Sequence, residues 1–447
     1  MVVVVADVCL LSHCQRVEHR PIVSFAKVKP ILESLADQLP SQLRGPNEGK
    51  WEAWAQNEDN TVRARLEQGA LDSMINLLLF GTSFTVQPRV TAMDDSDDTV
   101  VQSRLDDLLQ GLHNPGKNER LIFLRNLIGR RGMDPDTPAG YEKTKAFILE
   151  NLRRVVREQN TFRKQFDEAN RNSSQESELS KRSHLFRQRG ISIDTTLLSS
   201  FGIDGALRDM KNQGVLQEKS ITRVGVIGPG LDFTDKRFGY DFYPIQTLQP
   251  FAVYDSLVRL GLAESGKIEI VSFDISPAVL EHFRRFYDRA KTGQEYVVQL
   301  PRESWPLVAD AIDYWRSFGS EIGKPISPIQ PPPALEGLET RAVSIRPEIA
   351  LSCKAVDLNV VFEQFDQSAA KPFDLIIATN VFLYYNTLEQ ALALQNISSL
   401  LKPNGFLLTN DWLPRVPEIE MRSMGYTAVQ YGENGGWGDN VFWWQRQ

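Results

Sequence analysis

Two glycines and a series of carboxylates, spaced as the ends of successive strands would space them, are the residues of this chain best suited to chemistry. Residues 222–232 form an apolar run broken by Gly228 and Gly230. Such a run reads as a buried parallel strand that turns sharply at its carboxyl end, where a ligand can approach the backbone. Residues 267–274 repeat the pattern, ending on Asp274, and the following Ser276-Pro277 suits a helix start. A strand-helix-strand unit of this kind is half of a nucleotide-binding fold. The glycines leave room for a cofactor, and the carboxylate at the second strand end accepts hydrogen bonds from ribose hydroxyls.

The elements that must hold these residues continue through the C-terminal half. Residues 350–358, 373–380 and 405–411 read as further strands, with a helix over about 387–401. Residues 426–431 and 439–444 read as two strands joined by a glycine-rich turn at 434–436. The alternation predicts an α/β, Rossmann-like, mainly parallel sheet with helices on both faces, closed by a C-terminal antiparallel hairpin. Residues 292–347 look inserted, with a helical stretch from Trp305 to Phe318 and an extended proline-rich run at 325–333.

Residues 25–183 carry helical periodicity instead. Leu66, Ala70, Leu71, Met74, Leu77 and Leu78 fall at three- and four-residue spacings, as do Ile148, Leu152, Val155 and Val156, which predicts an all-α N-terminal domain. The basic residues of the long helix from Tyr141 are interleaved with acidic ones, the pattern of a salt-bridged solvent face. The acidic loop at 91–98 lacks calcium-ligand spacing. Residues 184–220 connect the two halves, and the packed connection is the favoured reading over a lid. The loop at 235–244 belongs at the carboxyl end of the sheet. Its Tyr240, Asp241 and Tyr243 are candidates either for ligand contact or for packing the loop onto the helices.

With 447 residues, 42% of them hydrophobic, the chain can build two cores. Its net charge of −7 argues against nonspecific binding to nucleic acid or anionic membrane. Three cysteines without CxxC spacing and five histidines make a zinc site a poor expectation and fit a reduced, cytoplasmic setting. Residues 1–11 are apolar, but Asp7 interrupts them and no basic residue precedes, so they make a poor signal peptide. No other segment is long and apolar enough to span a bilayer.

Residues 221–447 resemble a class I S-adenosylmethionine-dependent methyltransferase, whose seven-stranded sheet ends in a reversed strand. The local likeness is to the chemotaxis-receptor glutamate methyltransferase type. It lies in Phe373-Asp374-Leu375-Ile376, in Asn380-Val381-Phe382-Leu383-Tyr384-Tyr385, and in Leu400-Leu401-Lys402-Pro403-Asn404-Gly405. The resemblance implies S-adenosylmethionine as cofactor, with Gly228 and Gly230 close to its methionine moiety and Asp274 on the ribose. It also implies that Asp357 and Leu358 flank the adenine, that Asn380 lines the pocket and that Tyr384 stands beside the transferred methyl. Val226 occupies the usual acidic position of the first motif, and Asp232 is the carboxylate available to replace it near the cofactor's ammonium. The β-subdomain of the chemotaxis enzymes has no counterpart here and the helical part is longer, so a different acceptor is expected.

Methyl transfer from a sulfonium is an in-line displacement that asks chiefly for alignment. Tyr384, Asp241 and Asp411 are the candidate bases for a hydroxyl or amine acceptor, on a protein side chain or a small molecule. Two other classes stay open: a scaffold that keeps the fold without turnover, and a nicotinamide-dependent oxidoreductase, against which Phe233 stands at the third glycine position of GxGxxG. Acceptor and oligomeric state lie beyond these patterns.

Overall fold

The structure is a computed structural model that describes residues 20–90, 98–172, 190–234, 240–302, 306–365, 371–433 and 438–447. The N-terminal run with Cys9 and Cys14, the acidic loop at 91–97, the serine-rich linker at 173–178, residues 184–189 of the connector, residues 235–239, Trp305 and the glycine turn at 434–436 lie outside the described residues.

The helical half comprises α1 (Phe25–Ser34), α2 (Glu48–Phe80), α3 (Asp98–His113), α4 (Glu119–Gly129) and α5 (Pro138–Asn172). Asn47 and Asn118 cap α2 and α4 through their side-chain oxygens, meeting N–H groups that have no partner within the helix. The second half of α2 packs with α3, α4 and α5 around Leu77, Leu105, Leu124 and Ile148. Helix α1 and the first half of α2 go elsewhere. Ile31, Trp51 and Trp54 join a core under the parallel sheet, and the Trp51 indole donates to the Val23 carbonyl at 2.6 Å.

The second half continues as α6 (Leu197–Asn212), β1 (Arg223–Ile227), α7 (Gln249–Arg259), β2 (Glu269–Asp274) and α8 (Pro277–Lys291). An inserted unit follows: β3 (Tyr296–Pro301), α9 (Ala309–Ser317), β4 (Gly323–Ile326) and β5 (Thr340–Ile345). Then come α10 (Pro347–Leu351), β6 (Cys353–Asp357), β7 (Phe373–Ala378), α11 (Thr387–Leu400), β8 (Leu401–Thr409), β9 (Met421–Gln430) and β10 (Gly438–Arg446).

The main sheet has seven strands in the order β6-β2-β1-β7-β8-β10-β9. The first five run parallel, and β10 lies antiparallel between β8 and β9. Val224, Val226, Ile270, Leu375 and Ile377 are fully buried, as expected of strands covered on both faces. Helices α6, α7 and α8 with the insertion cover one face, and α11 with α1 and α2 covers the other. At the amino end of the sheet the Asp374 carboxylate accepts from the N–H groups of Thr222 and Arg223 at 2.7 and 2.9 Å, which locks β7 to the start of β1.

The insertion is a separate three-stranded antiparallel sheet, β3-β5-β4, where the sequence suggested only a helix and an extended run. Strand β4 pairs with β5 across an intervening proline-rich stretch, so no local signal fixes it. The insertion is tied to the main body at Asp255 on α7, whose buried carboxylate accepts from the Glu321 N–H at 3.0 Å, while Asp204 on α6 accepts from Arg208 and Arg259 and joins α6 to α7. Burial lifts the Asp255 pKa to about 6, against the lowering effect of the Glu321 and Gly319 N–H groups. A carboxyl whose folded pKa exceeds its unfolded value binds protons more tightly when folded, so it costs stability as pH rises. Wild-type protein is therefore expected to lose stability between pH ~4 and ~6 from this group. Urea midpoints taken across that range should show the loss in wild type and a flatter profile in Asp255→Asn. Among the described residues no helix is long and apolar enough to cross a membrane.

Candidate functional site

Every parallel strand ends at one edge, and the strand order reverses between β1 and β7, so a crevice opens there outside the carboxyl ends. Gly228 follows β1, Asp274 ends β2, Asp357 ends β6, Asn380 follows β7 and Asp411 follows β8. Register makes them neighbours: Ile227 lies beside both Phe273 and Ala378, Asp274 beside Asp357, and Ala378 beside Thr409. With strands ~4.8 Å apart, five separate stretches of sequence meet along one rim.

The glycine turn is built for close approach. Gly228 and Gly230 both have φ of +64°, a region in which a side chain is strained. A Cβ at Gly228 would come within 3.0 Å of Val381 Cγ2, and one at Gly230 within 2.8 Å of the Ile193 carbonyl oxygen. The second contact shows what lies over the turn. Residues 190–196 of the connector run as a strap: Leu231 N–H donates to Ile193 O at 2.7 Å and Thr195 N–H to Leu231 O at 2.9 Å. The Ser192 N–H donates to the Tyr384 hydroxyl at 3.3 Å, so the strap reaches from the loop after β1 to the loop after β7. It also crosses α2, where Ile191 N–H donates to Arg65 O at 3.1 Å. Gly69 permits that crossing, because a Cβ there would fall 1.8 Å from Ile191 O.

Asp274 is a half-buried acceptor that takes the Ser276 N–H at 2.7 Å. Burial is the main influence on it and lifts its pKa to about 7. The N–H groups of Ser276, Ile275 and Gly230 act the other way, while the Asp357 carboxylate adds to the rise. Asp357 has a cationic partner the sequence did not suggest. Arg63 on α2 donates to Asp59 Oδ2 at 3.0 Å, Asp357 Oδ1 at 3.1 Å and Glu363 Oε1 at 3.1 Å. Burial works to lower the Arg63 pKa, and these three carboxylates overcome it, holding the pKa above its ordinary value. The Leu358 N–H donates to Asp274 O at 3.2 Å, joining the two strand ends. Asn380 is exposed, sits at φ +58°, and exchanges hydrogen bonds with Asn410: its N–H donates at 2.8 Å and its side-chain oxygen accepts at 2.7 Å.

The three candidate bases are not equivalent. Tyr384 stands at the rim, with the Arg65 guanidinium 5.9 Å from its ring centroid and donating to its carbonyl at 3.2 Å. Asp411 stands at the end of β8, its N–H donating to Thr409 Oγ1 at 3.1 Å. Asp241 is 1% exposed and accepts from both the N–H and the hydroxyl of Thr82, at 2.7 and 2.6 Å, and from those of Ser83, at 3.0 and 2.7 Å. Four donors from the turn after α2 engage its oxygens, so of the two sequence readings the structure shows the packing one: Asp241 fastens the aromatic loop to the helical half. Asp241→Ala should leave those donors unpaired and cost about 2–4 kcal/mol in a urea titration. Unchanged stability with lost turnover would restore the base role.

Asp232, the carboxylate expected near the cofactor's ammonium, is 7% exposed and accepts from the Tyr243 hydroxyl at 2.9 Å and Gln246 Nε2 at 2.8 Å. Its carbonyl, with those of Phe233 and Tyr243, is gripped by the buried Arg120 guanidinium of α4. Arg63, Arg65 and Arg120 were missed because they lie in the helical half, far in sequence from the strand ends they meet. Only the i,i+4 spacing of Asp59 and Arg63 hinted at a pair.

No family model matches the chain, and no curated protein matches it. Solved structures do. They include the N-methyltransferase NodS from Bradyrhizobium japonicum WM9, at 10% identity over 56% of this chain and 99% of that one, with a TM-score of 0.26. TrmN from Thermus thermophilus matches at 12% identity and a TM-score of 0.26 over 56% of this chain; the match spans about half of TrmN, 52% of its length. The magnesium protoporphyrin IX methyltransferase ChlM from Synechocystis PCC 6803, crystallised with bound S-adenosylmethionine, matches at 7% identity over 62% of this chain and 86% of that one, TM-score 0.25. At these values the likenesses carry no argument of their own.

Proposed function

We propose that this chain transfers a methyl group from S-adenosylmethionine to an acceptor. The observation that carries the reading is the meeting of Gly228, Asp274, Asp357 and Asn380 at neighbouring strand ends around the reversal of strand order, in a sheet closed by a reversed hairpin. The rim fits the cofactor's chemistry. Gly228 and Gly230 let the turn take a positive φ that a side chain would strain, and Asp274 supplies an acceptor for ribose hydroxyls. Asp357 and Leu358 would flank the adenine, with Arg63 fixing the carboxylate, while Asn380 and Tyr384 would line the methionine end. When bound, the cofactor supplies an already activated methyl group on a sulfonium. What the chain contributes is orientation by the glycine turn and Asp274, and exclusion of water by the strap at 190–196.

In its finer form the reading keeps the likeness to the chemotaxis-receptor type in residues 373–376, 380–385 and 400–405, with another acceptor. A cytoplasmic setting is kept as the sequence expectation. One specific observation favours the scaffold alternative: Asp357 already holds Arg63 and the strap already lies on Gly230, as in a fold kept without cofactor. Isothermal titration with S-adenosylmethionine and S-adenosylhomocysteine, with NADH as control, separates the readings. Saturable binding of the first two supports methyl transfer. Absence of binding to folded protein leaves the scaffold.

A further inference from the structure

The guanidinium of Arg63 is divided among three carboxylates, one to each nitrogen: Nε donates to Asp59 Oδ2, Nη1 to Asp357 Oδ1 and Nη2 to Glu363 Oε1. Two of these partners are fixed from behind by one buried residue. Asn359 donates its side-chain amide to Asp59 Oδ1 at 2.7 Å and its backbone N–H to Glu363 Oε2 at 2.6 Å. With both partners anchored, the planar fork of Arg63 is held in one orientation, and its remaining arm meets Asp357 from a set direction. Two residues on, Arg65 donates to the Tyr384 carbonyl at 3.2 Å, which keeps this part of α2 against the rim.

The three carboxylates differ in access. Asp59 and Glu363 each keep 1% of their side chains exposed and Asp357 keeps 24%, so Asp357 is the member of the cluster that opens at the strand ends. An arginine can only donate, and its bond to Oδ1 makes the two oxygens of Asp357 unequal. Oδ1 is turned to α2, which leaves Oδ2 as the oxygen the side chain presents away from the helix. There it acts as an acceptor of fixed direction, already formed before a ligand arrives.

We propose that Arg63 is a positioning residue for base selection: by holding Asp357 Oδ1 it aims Oδ2 at the base of a bound nucleoside, selecting a base that carries an amine there over one that carries a carbonyl. An amine donates to the carboxylate oxygen, whereas a carbonyl sets two acceptors face to face with no proton between them. That a base stands opposite Asp357 rests on the methyltransferase reading; the orientation of the carboxylate by Arg63 does not. A residue of the helical half thereby takes part in choosing the ligand of the sheet.

Asp357→Asn separates this role from a merely structural one. The Arg63 fork still requires an oxygen, so the amide must give it Oδ1 and present Nδ2, a donor where an acceptor stood. The test is isothermal titration of the full chain with S-adenosylhomocysteine and S-inosylhomocysteine, whose bases carry an amine and a carbonyl at the same position. Urea midpoints establish that each variant is folded. Wild type is expected to bind the adenosyl compound roughly 10- to 100-fold more tightly. Asp357→Asn should reverse the order, favouring the inosyl compound roughly five- to tenfold. Arg63→Lys should narrow the wild-type ratio although it keeps the charge, because an ammonium cannot hold three acceptors as the fork does. Asp357→Asn retains the arginine and its partners, so the central outcome does not depend on a variant that opens the buried cluster. Equal binding of the two ligands by wild type, an unreversed preference in Asp357→Asn, or an unchanged ratio in folded Arg63→Lys would overturn the positioning role and leave the methyltransferase reading standing. Binding of neither ligand by folded wild type would reject that reading and base selection with it.

Discussion

Asp274→Ala is expected to weaken S-adenosylmethionine binding roughly 10- to 100-fold, the usual worth of hydrogen bonds to a charged group. The side chain sits half-buried at the end of β2 beside the glycine turn, where part of its hydration is already lost before a ligand arrives. The same desolvation gives a pH signature. Hydroxyls that donate to the carboxylate favour its ionised form, and the pKa of the unliganded group is lifted to about 7. Affinity should therefore rise with pH through the weakly acidic range and level off above about 7. Asp274→Asn should bind weakly and without that slope. Isothermal titration across the range measures both. An unaltered affinity in Asp274→Ala would remove Asp274 from the cofactor site, and a flat profile in wild type would remove the carboxylate's titration from the binding step.

Arg120→Ala is expected to be the most damaging single change to the helical half. The guanidinium is 1% exposed and donates to the carbonyls of Asp232, Phe233 and Tyr243, and it lies 5.8 and 5.5 Å from the ring centroids of Phe233 and Tyr243. Its loss would leave three carbonyls of the β1 loop without their donor. Allowing for non-additivity among neighbours, about 3–5 kcal/mol of stability should go. Arg120→Lys should rescue little, because an ammonium cannot span three acceptors as the planar fork does. Urea unfolding gives the magnitude, and amide exchange at 231–234 and 243–246 should report the loosened loop. A variant with wild-type midpoint and exchange would show that the helical half does not hold this loop in place.

Much of this architecture was legible before any coordinates. The strands ending in Gly228, Asp274, Asp357, Asn380 and Asp411 announce themselves through apolar runs and local punctuation, both properties of neighbouring residues. The reversed hairpin of β9 and β10 was readable for the same reason. The strands of the insertion were not, since β4 finds β5 across a proline-rich stretch and carries no alternation of its own. Asp241 shows the same limit in one residue. Its type and loop suited a base, and only the folded chain brings Thr82 and Ser83 against it.

What the sequence determined by itself is thus the order of elements and the chemistry available at each strand end, because periodicity and turn residues act within a few positions. Tertiary structure alone decided which helical side chains reach that edge. Arg63 meets Asp357 nearly 300 residues away, a separation of 294, and Arg120 meets the loop after β1. A cation four positions from a carboxylate looks the same on a solvated helix as on one pressed against a sheet. The difference is made by which face of α2 the buried tryptophans Trp51 and Trp54 turn towards the sheet core, and that is fixed only when the two halves pack.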